Sequence, residues 1–239
     1  MTRSASPSSG SPQGTASLSP PAAGRIWRLP GVYAPQADSF LLDAVMRREG
    51  VGAGMDVLDV CTGTGVLALG AARLGARVTA FDVSRRAVMS TRLNALAARV
   101  PITVRRQDLL TGVPAGSADV VISNPPYVPS PTAQLPRRGA CRAWDAGVDG
   151  RSLLNRICEQ APAVLRPGGL LLLVHSSLCD PDETVRRLTQ HDLSAAVSDR
   201  MTIPSGPVIT ARLSWLRQMG LVPEGIAREE LVIVRARRV

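Results

Sequence analysis

Asn124, Pro125, Pro126 and Tyr127 stand together after an apolar run, Asp119-Val120-Val121-Ile122-Ser123. Those residue types suit the holding of a planar nitrogen. An amide nitrogen is a poor nucleophile, because its lone pair is delocalised into the carbonyl. Two acceptors opposite its N–H groups draw density onto nitrogen and point the lone pair one way. The Asn124 side-chain oxygen and the Pro125 backbone carbonyl are such acceptors, and proline brings no competing N–H. Tyr127 offers a face on which a planar amide or base stacks, and near which a cation is favoured. Taken alone, Asn-Pro-Pro-Tyr also reads as an ordinary turn. The chemistry it allows is an in-line displacement aided by positioning and electrostatics. No Ser–His–Asp set or metal-ligand cluster accompanies it. His175 and His191 read as structural, on a buried strand and a surface helix.

A second constellation lies upstream, in Val57-Leu58-Asp59-Val60-Cys61-Thr62-Gly63-Thr64-Gly65. Gly63 and Gly65, in a strand-to-helix turn, let a ligand approach the backbone closely. Gly63-x-Gly65-x-x-Ala68, with Asp82 beyond it, also fits the dinucleotide fingerprint, so NAD is one candidate ligand. Asp59 argues against it, since a carboxylate ahead of the turn would face the pyrophosphate. The same carboxylate attracts the sulfonium and ammonium of S-adenosylmethionine, directly or through water. Asp82, ending Val78-Thr79-Ala80-Phe81-Asp82, is placed to accept from two ribose hydroxyls. Asp108 follows the next strand and is placed to accept from an adenine amino group. Any one of the three reads equally as a turn or cap aspartate; their repetition at successive strand ends favours a ligand.

These residues need a scaffold, and the hydrophobic periodicity predicts one. Ala37–Arg48 reads as a helix. Strands at Met55–Val60, Arg77–Phe81, Ile102–Arg105 and Asp119–Ser123 alternate with helices at Gly65–Leu74 and Ser84–Ala98, the latter N-capped by Ser84. A Pro-rich loop leads to a helix over Gly150–Val164. Pro167-Gly168-Gly169 then reads as a turn into a buried strand, Leu170–His175. A helix near Asp182–Gln190, strands near Ala195–Met201 and Glu230–Arg237, and a helix over Thr210–Met219 complete the pattern. Alternation with apolar strands predicts an α/β fold of Rossmann-like, doubly wound form, a mostly parallel sheet of seven strands with helices on both faces. Ligands in such sheets sit beyond the carboxyl ends of the strands.

The 239 residues suit one such domain over residues 25–239. Residues 1–24, rich in Ser, Pro and Gly, read as a disordered tail. No apolar run approaches a membrane span, and the amino terminus lacks a signal-peptide core. Cys61, Cys141, Cys158 and Cys179 show no CxxC spacing and read as reduced thiols, with no metal bound, in a cytoplasmic protein. The net charge of +9 comes from arginine alone, there being no lysine. It reads either as codon bias or as attraction to a polyanion such as ribosomal RNA; a nucleic-acid partner is compatible with the charge but no motif indicates one.

Asn124-Pro125-Pro126-Tyr127 together with Asp59…Gly63-x-Gly65 resembles the class I amino-methyltransferases, and more narrowly the HemK/PrmC family of protein-glutamine N5-methyltransferases. Val32-Tyr33-Ala34-Pro35-Gln36-Ala37-Asp38-Ser39-Phe40-Leu41-Leu42 is similar to the opening segment of that family's short eukaryotic and archaeal branch. Ala143-Trp144-Asp145-Ala146-Gly147-Val148-Asp149-Gly150-Arg151 resembles its loop after the Asn-Pro-Pro-Tyr motif. The resemblance implies S-adenosylmethionine as cofactor and a glutamine in a Gly-Gly-Gln loop of a translation release factor as substrate. By it Pro35, Asp38 and Ser39 line the cofactor pocket with Asp59, Gly63, Gly65, Asp82 and Asp108, while Asn124 and Tyr127 hold the amide. The short branch relies on a small zinc-binding partner protein, and the helical N-terminal domain of the bacterial enzymes is not expected here. Cys61 stands where the family carries its first motif glycine, so ordinary backbone angles are expected there. A nucleobase amino group or a small molecule is the alternative acceptor, and a non-enzymatic, cofactor-binding scaffold the third reading.

Overall fold

A computed structural model describes residues 25–225 and 228–239 of the chain. The expected tail over residues 1–24 lies outside the described residues. Seven strands form one sheet in the order β3-β2-β1-β4-β5-β7-β6. They are β1 (Asp56–Val60), β2 (Arg77–Asp82), β3 (Ile102–Arg106), β4 (Ala118–Ser123), β5 (Leu165–Ser176), β6 (Leu193–Pro204) and β7 (Arg228–Arg238). β1 to β5 pair in parallel, and β7 runs antiparallel between β5 and β6. The helices are α1 (Ala37–Arg48), α2 (Val66–Arg73), α3 (Arg85–Ala98), α4 (Ser152–Val164), α5 (Pro181–Thr189) and α6 (Pro207–Gln218). This is the Rossmann-like, doubly wound α/β architecture that the alternation of elements predicts.

The central strands are buried on both faces because their residues are apolar on both. Val57, Val60, Val121, Ile122, Leu171, Leu172 and Leu173 are sealed from solvent, as parallel strands between two helical layers require. Local signals set the helix starts. Ser84 Oγ accepts from the Ala87 N–H ahead of α3, and Asp180 accepts from the Glu183 N–H with Pro181 at the first position of α5.

One expectation changes. Pro167-Gly168-Gly169 does not precede β5 but lies inside it. Ala118 pairs with Leu165 and Val120 with Leu170, so the ladder skips across the intervening residues. The turn-forming residues are accommodated as a bulge, with Gly168 at φ +75°. The other change is small: His191 lies in the turn after α5 rather than on the helix.

The two ends of the sheet differ in what they do with carboxylates. At the strand starts Asp56 and Asp119 are neutralised: Arg166 bridges both, at 2.9 and 2.6 Å, and Arg77 adds a 2.7 Å pair to Asp56. These guanidiniums hold the Asp56 carboxyl down to about 2. At the carboxyl ends Asp59 and Asp82 have no arginine partner among the described residues. Negative charge without an arginine salt bridge is thus left where a ligand of this fold binds, offset at Asp82 in part by the nearby Arg142.

Candidate active site

The pocket opens over the carboxyl ends of β1, β2, β3 and β4. It is lined by Pro35, Asp38 and Ser39 from the segment entering α1, by Cys61, Thr62 and Gly63 after β1, by Asp82 and Asp108 after β2 and β3, and by Asn124, Pro125, Pro126 and Tyr127 after β4. Nine of the eleven residues expected at the site thus line one cavity. Asp59 and Gly65 do not.

Asp59 is fully buried beneath the glycine turn. Its Oδ2 accepts from Thr62 Oγ1 at 2.6 Å and from the Ala68 N–H, in the first turn of α2, at 3.1 Å. A carboxylate there complements the positive end of the helix. Its Oδ1 has no hydrogen-bond partner. Desolvation, with Asp82 nearby, pushes the carboxyl up to about 7. Asp59 therefore shapes the turn and sets its charge from behind the lining.

Gly65 is required by packing. Its φ is +81°, and an added Cβ would lie 2.6 Å from Thr91 Cγ2 of α3. Thr91 Oγ1 in turn donates to the Gly63 carbonyl at 3.1 Å, tying the turn to α3. Cys61 overturns the expectation of ordinary backbone angles, since its φ is +61°. The turn imposes this: the Thr62 N–H is held by the Phe81 carbonyl at 3.0 Å and the Gly65 N–H by the Thr62 carbonyl at 2.8 Å. A non-glycine residue in that region costs about 1–2 kcal/mol. Cys61 lines the pocket, and burial with the three carboxylates Asp82, Asp59 and Asp108 pushes its thiol well up.

Asp82 accepts from the Gly63 N–H at 3.0 Å through Oδ2 and from the Ser84 N–H at 2.8 Å through Oδ1. Each oxygen keeps a second lone pair for a ligand hydroxyl. The same geometry weighs against a dinucleotide: the Gly63 N–H, which would cradle a phosphate, is already given to a carboxylate. Asp108 reaches the pocket rim, where its Oδ2 pairs with Arg156 at 2.6 Å.

At the reaction end a directed chain of hydrogen bonds fixes Asn124. Asp38 Oδ1 accepts from the Ser39 N–H at 2.6 Å and from Ser39 Oγ at 3.3 Å. A hydroxyl that donates to a carboxylate accepts from its other neighbour, here Asn124 Nδ2 at 3.2 Å. Asn124 Oδ1 is thereby the atom left to accept from a ligand. Asp38 Oδ2 holds the hydroxyls of Tyr33 at 3.1 Å and Tyr127 at 3.2 Å, which immobilises the Tyr127 ring. Burial and Asp38 push both phenols far up, so the two act as donors.

Tyr33, Arg142 and Trp144 also line the cavity. No role was legible for them in the sequence. Trp144 arrives through a short pairing of the loops: the Val128 N–H donates to the Trp144 carbonyl at 2.7 Å, and the Ala146 N–H to the Val128 carbonyl at 3.1 Å. That contact joins residues whose separation carries no periodic signal. His175 is buried, its ring held by the Ser176 carbonyl at 2.9 Å and its basicity lowered to about 4 by burial.

A seven-stranded sheet with carboxylates at the first two strand ends and Asn-Pro-Pro-Tyr at the fourth defines a class I methyltransferase. The Methyltransferase small domain family matches residues 23–135. A putative protein N5-glutamine methyltransferase of Methanocaldococcus jannaschii is 32% identical over 176 residues, covering 73% of this chain and 87% of that protein. Methyltransferase HEMK2 of Mus musculus is 32% identical over 175 residues, covering 70% of this chain and 82% of that one. Among solved structures, the E. cuniculi Mtq2-Trm112 complex, responsible for methylation of the eRF1 translation termination factor, matches with a TM-score of 0.62. The identity is 25%, over 87% of this chain and 99% of that one. The chain is an enzyme of the HemK-type protein N5-glutamine methyltransferase family.

Proposed function

We propose that this enzyme methylates the side-chain amide nitrogen of a glutamine in a protein such as a translation release factor, with S-adenosylmethionine as donor. The observation that carries the reading is the hydrogen-bond chain Asn124–Ser39–Asp38, which leaves Asn124 Oδ1 as an oriented acceptor beside the Pro125 carbonyl. A primary amide presents two N–H groups to two such acceptors.

The donor fits the residues present. A cationic ligand suits a pocket with an orphaned carboxylate oxygen on Asp59 behind it and Asp82 in its wall. When bound, the donor supplies an activated methyl on a sulfonium. Asp82 holds the ribose hydroxyls, and Asp108 lies where the base is expected. Asn124 and Pro125 hold the glutamine amide and polarise its nitrogen, and the Tyr127 ring keeps the amide plane fixed. The nitrogen–carbon bond forms as the sulfur–carbon bond breaks. Transfer from the bound donor to that nitrogen would leave a neutral thioether, and the amide proton would pass to solvent. Preorganised acceptors of this kind contribute about 2.7–4 kcal/mol each.

The printed substrate of the E. cuniculi complex and the names of the relatives support a release factor as acceptor. That complex has two proteins, which supports a small partner for this chain as well. No helix among the described residues is long and apolar enough to cross a membrane, which is compatible with the cytoplasm, where release factors act. Residues 25–239 act as one methyltransferase domain in this account. A nucleobase acceptor is less well supported. α6, the insertion-like stretch in which an added base-recognition element would lie, serves instead as a brace, its Arg212 tied to Asp145 at 2.6 Å and to the Pro129 carbonyl at 2.9 Å.

Labelled S-adenosylmethionine added with the enzyme to nuclease-treated extract tests the reading. Label in a protein band is expected. Label confined to nucleic acid or small molecules would transfer the chemistry to another nitrogen.

A further inference from the structure

The chain's positive charge is segregated. Residues 25–37, 83–107 and 125–144 carry eleven arginines and no aspartate or glutamate. The chain has 28 basic residues in all, so the 17 elsewhere are outnumbered by its 19 acidic ones. The whole of the +9 excess therefore sits in three segments. Codon bias toward arginine gives no reason for acidic residues to avoid them.

The three segments form one surface. The Trp27 N–H donates to Asn94 of α3 at 2.7 Å, and the Leu29 N–H to Ser90 at 3.2 Å. Arg86 reaches the Pro30 carbonyl at 3.1 Å, Arg92 the Val104 carbonyl at 3.0 Å, and Arg106 the Val83 carbonyl at 3.1 Å. Gly31, Val83, Gly139 and Arg142 line the same pocket, and a Cβ on Gly31 would lie 3.5 Å from Arg86 and 3.9 Å from the Ala140 backbone. Ten of the eleven arginines are exposed, Arg142 being the half-buried one. None of them forms an ion pair among the described residues, whereas Arg47, Arg48, Arg77, Arg156, Arg166 and Arg186 elsewhere do. The carbonyl contacts hold guanidiniums in place without neutralising them.

We propose that this collar binds the phosphate backbone of a single-stranded RNA segment, docking the enzyme beside its substrate. Guanidiniums with free N–H groups match phosphate oxygens in a fork. The collar also carries exposed flat and apolar groups. Trp27 is 51% exposed with the Arg25 guanidinium 4.6 Å from its ring centre, and Met89, Leu93 and Leu96 lie exposed at helical spacing on α3. Guanidiniums set beside an exposed indole and apolar side chains fit a base face as well as phosphates, which an acidic protein does not offer. The inference concerns the surface around the pocket, which the collar's arginines share only at its edge through Arg142, and does not depend on which nitrogen is methylated.

The test uses the full chain without any methyl donor, so methyl-transfer results do not bear on it. Fluorescence anisotropy with a mixed-sequence single-stranded RNA and with polyglutamate of equal charge is followed across KCl concentration. RNA should bind at about 100 mM salt and at least about tenfold more tightly than polyglutamate, its affinity falling with a slope of about −0.7 per phosphate contact. Arg85→Gln, Arg105→Gln and Arg138→Gln combined remove side chains with no described hydrogen bond. They should weaken RNA binding at least about tenfold and shallow the slope by about 2, with unchanged melting temperature. The control Arg186→Gln, Arg217→Gln and Arg228→Gln should leave the affinity within about twofold of the parent. Absence of RNA binding, equal or tighter binding of polyglutamate, or equal loss in both triple variants overturns the proposal.

Discussion

Asn124 Nδ2 donates to Ser39 Oγ at 3.2 Å, joining residues 85 positions apart in the chain. Because Ser39 Oγ also donates to Asp38, the direction of each bond follows, and the reactive end of Asn124 is set before any substrate arrives. Asn124→Ala should keep donor affinity and lower kcat by roughly 10²–10³. Ser39→Ala should lower kcat less, by about tenfold, since the amide remains but loses the partner that orients it. Single-turnover rates at saturating donor check both. An Asn124→Ala enzyme that no longer binds donor, yet reacts normally when saturated, would reverse the assigned roles.

Gly65 and Thr91 predict a coupled pair of stabilities. Gly65→Ala places a Cβ against Thr91 Cγ2 at a positive φ, and should destabilise the fold by more than about 1 kcal/mol. Adding Thr91→Ser removes that methyl and keeps the hydroxyl bonded to Gly63. Part of the lost melting temperature should return, the remainder reflecting backbone strain. No recovery in the double variant would show that packing on α3 is not what demands a glycine.

Asp59 gives the stability a pH dependence of definite sign. The folded carboxyl titrates at about 7 and the unfolded one near 4, so between these values the folded chain holds the extra proton. Stability then falls as pH rises through that window; the penalty is absent below it and complete above it. Asp59→Asn retains an acceptor for Thr62 and Ala68 and should flatten the decline. Denaturant midpoints from about pH 4.5 to 7.5 check this, and parallel profiles for the two proteins would remove Asp59 as its source.

Asp82 should govern donor affinity. Asp82→Ala is expected to weaken S-adenosylmethionine and S-adenosylhomocysteine by about tenfold or more, the loss of a charged hydrogen bond. Calorimetry with NAD alongside provides the control, since the Gly63 N–H is already occupied. Unchanged affinity would take Asp82 out of the ribose site, and binding of NAD alone would make the turn a dinucleotide site.

Much of this was legible in the sequence because strong local signals agreed with the fold. Val57–Val60 and Val120–Ile122 are apolar enough to be central strands, and Ser84 marks the start of α3. Ligand-facing carboxylates at strand ends follow from topology. What escaped depended on distant parts of the chain. Pro167-Gly168-Gly169 is a turn by composition, but pairing with β4 on either side makes it a bulge. Cys61 takes φ +61° because the Thr62 hydrogen bond to the Phe81 carbonyl and the one within the turn outweigh its local preference. Asp59 sits behind the pocket because the turn folds over it. Trp144 reaches the pocket through a loop contact with Val128 that no residue spacing encodes.

The most direct test is to incubate the enzyme and S-adenosylmethionine with a purified release factor and locate the methyl by fragment mass spectrometry. The account predicts one methyl on the side-chain nitrogen of the glutamine in its Gly-Gly-Gln loop, formed roughly 10²–10³ more slowly with Asn124→Ala and absent when that glutamine is replaced by glutamate. A methyl on another residue, or transfer that persists after the glutamine is replaced, would contradict it.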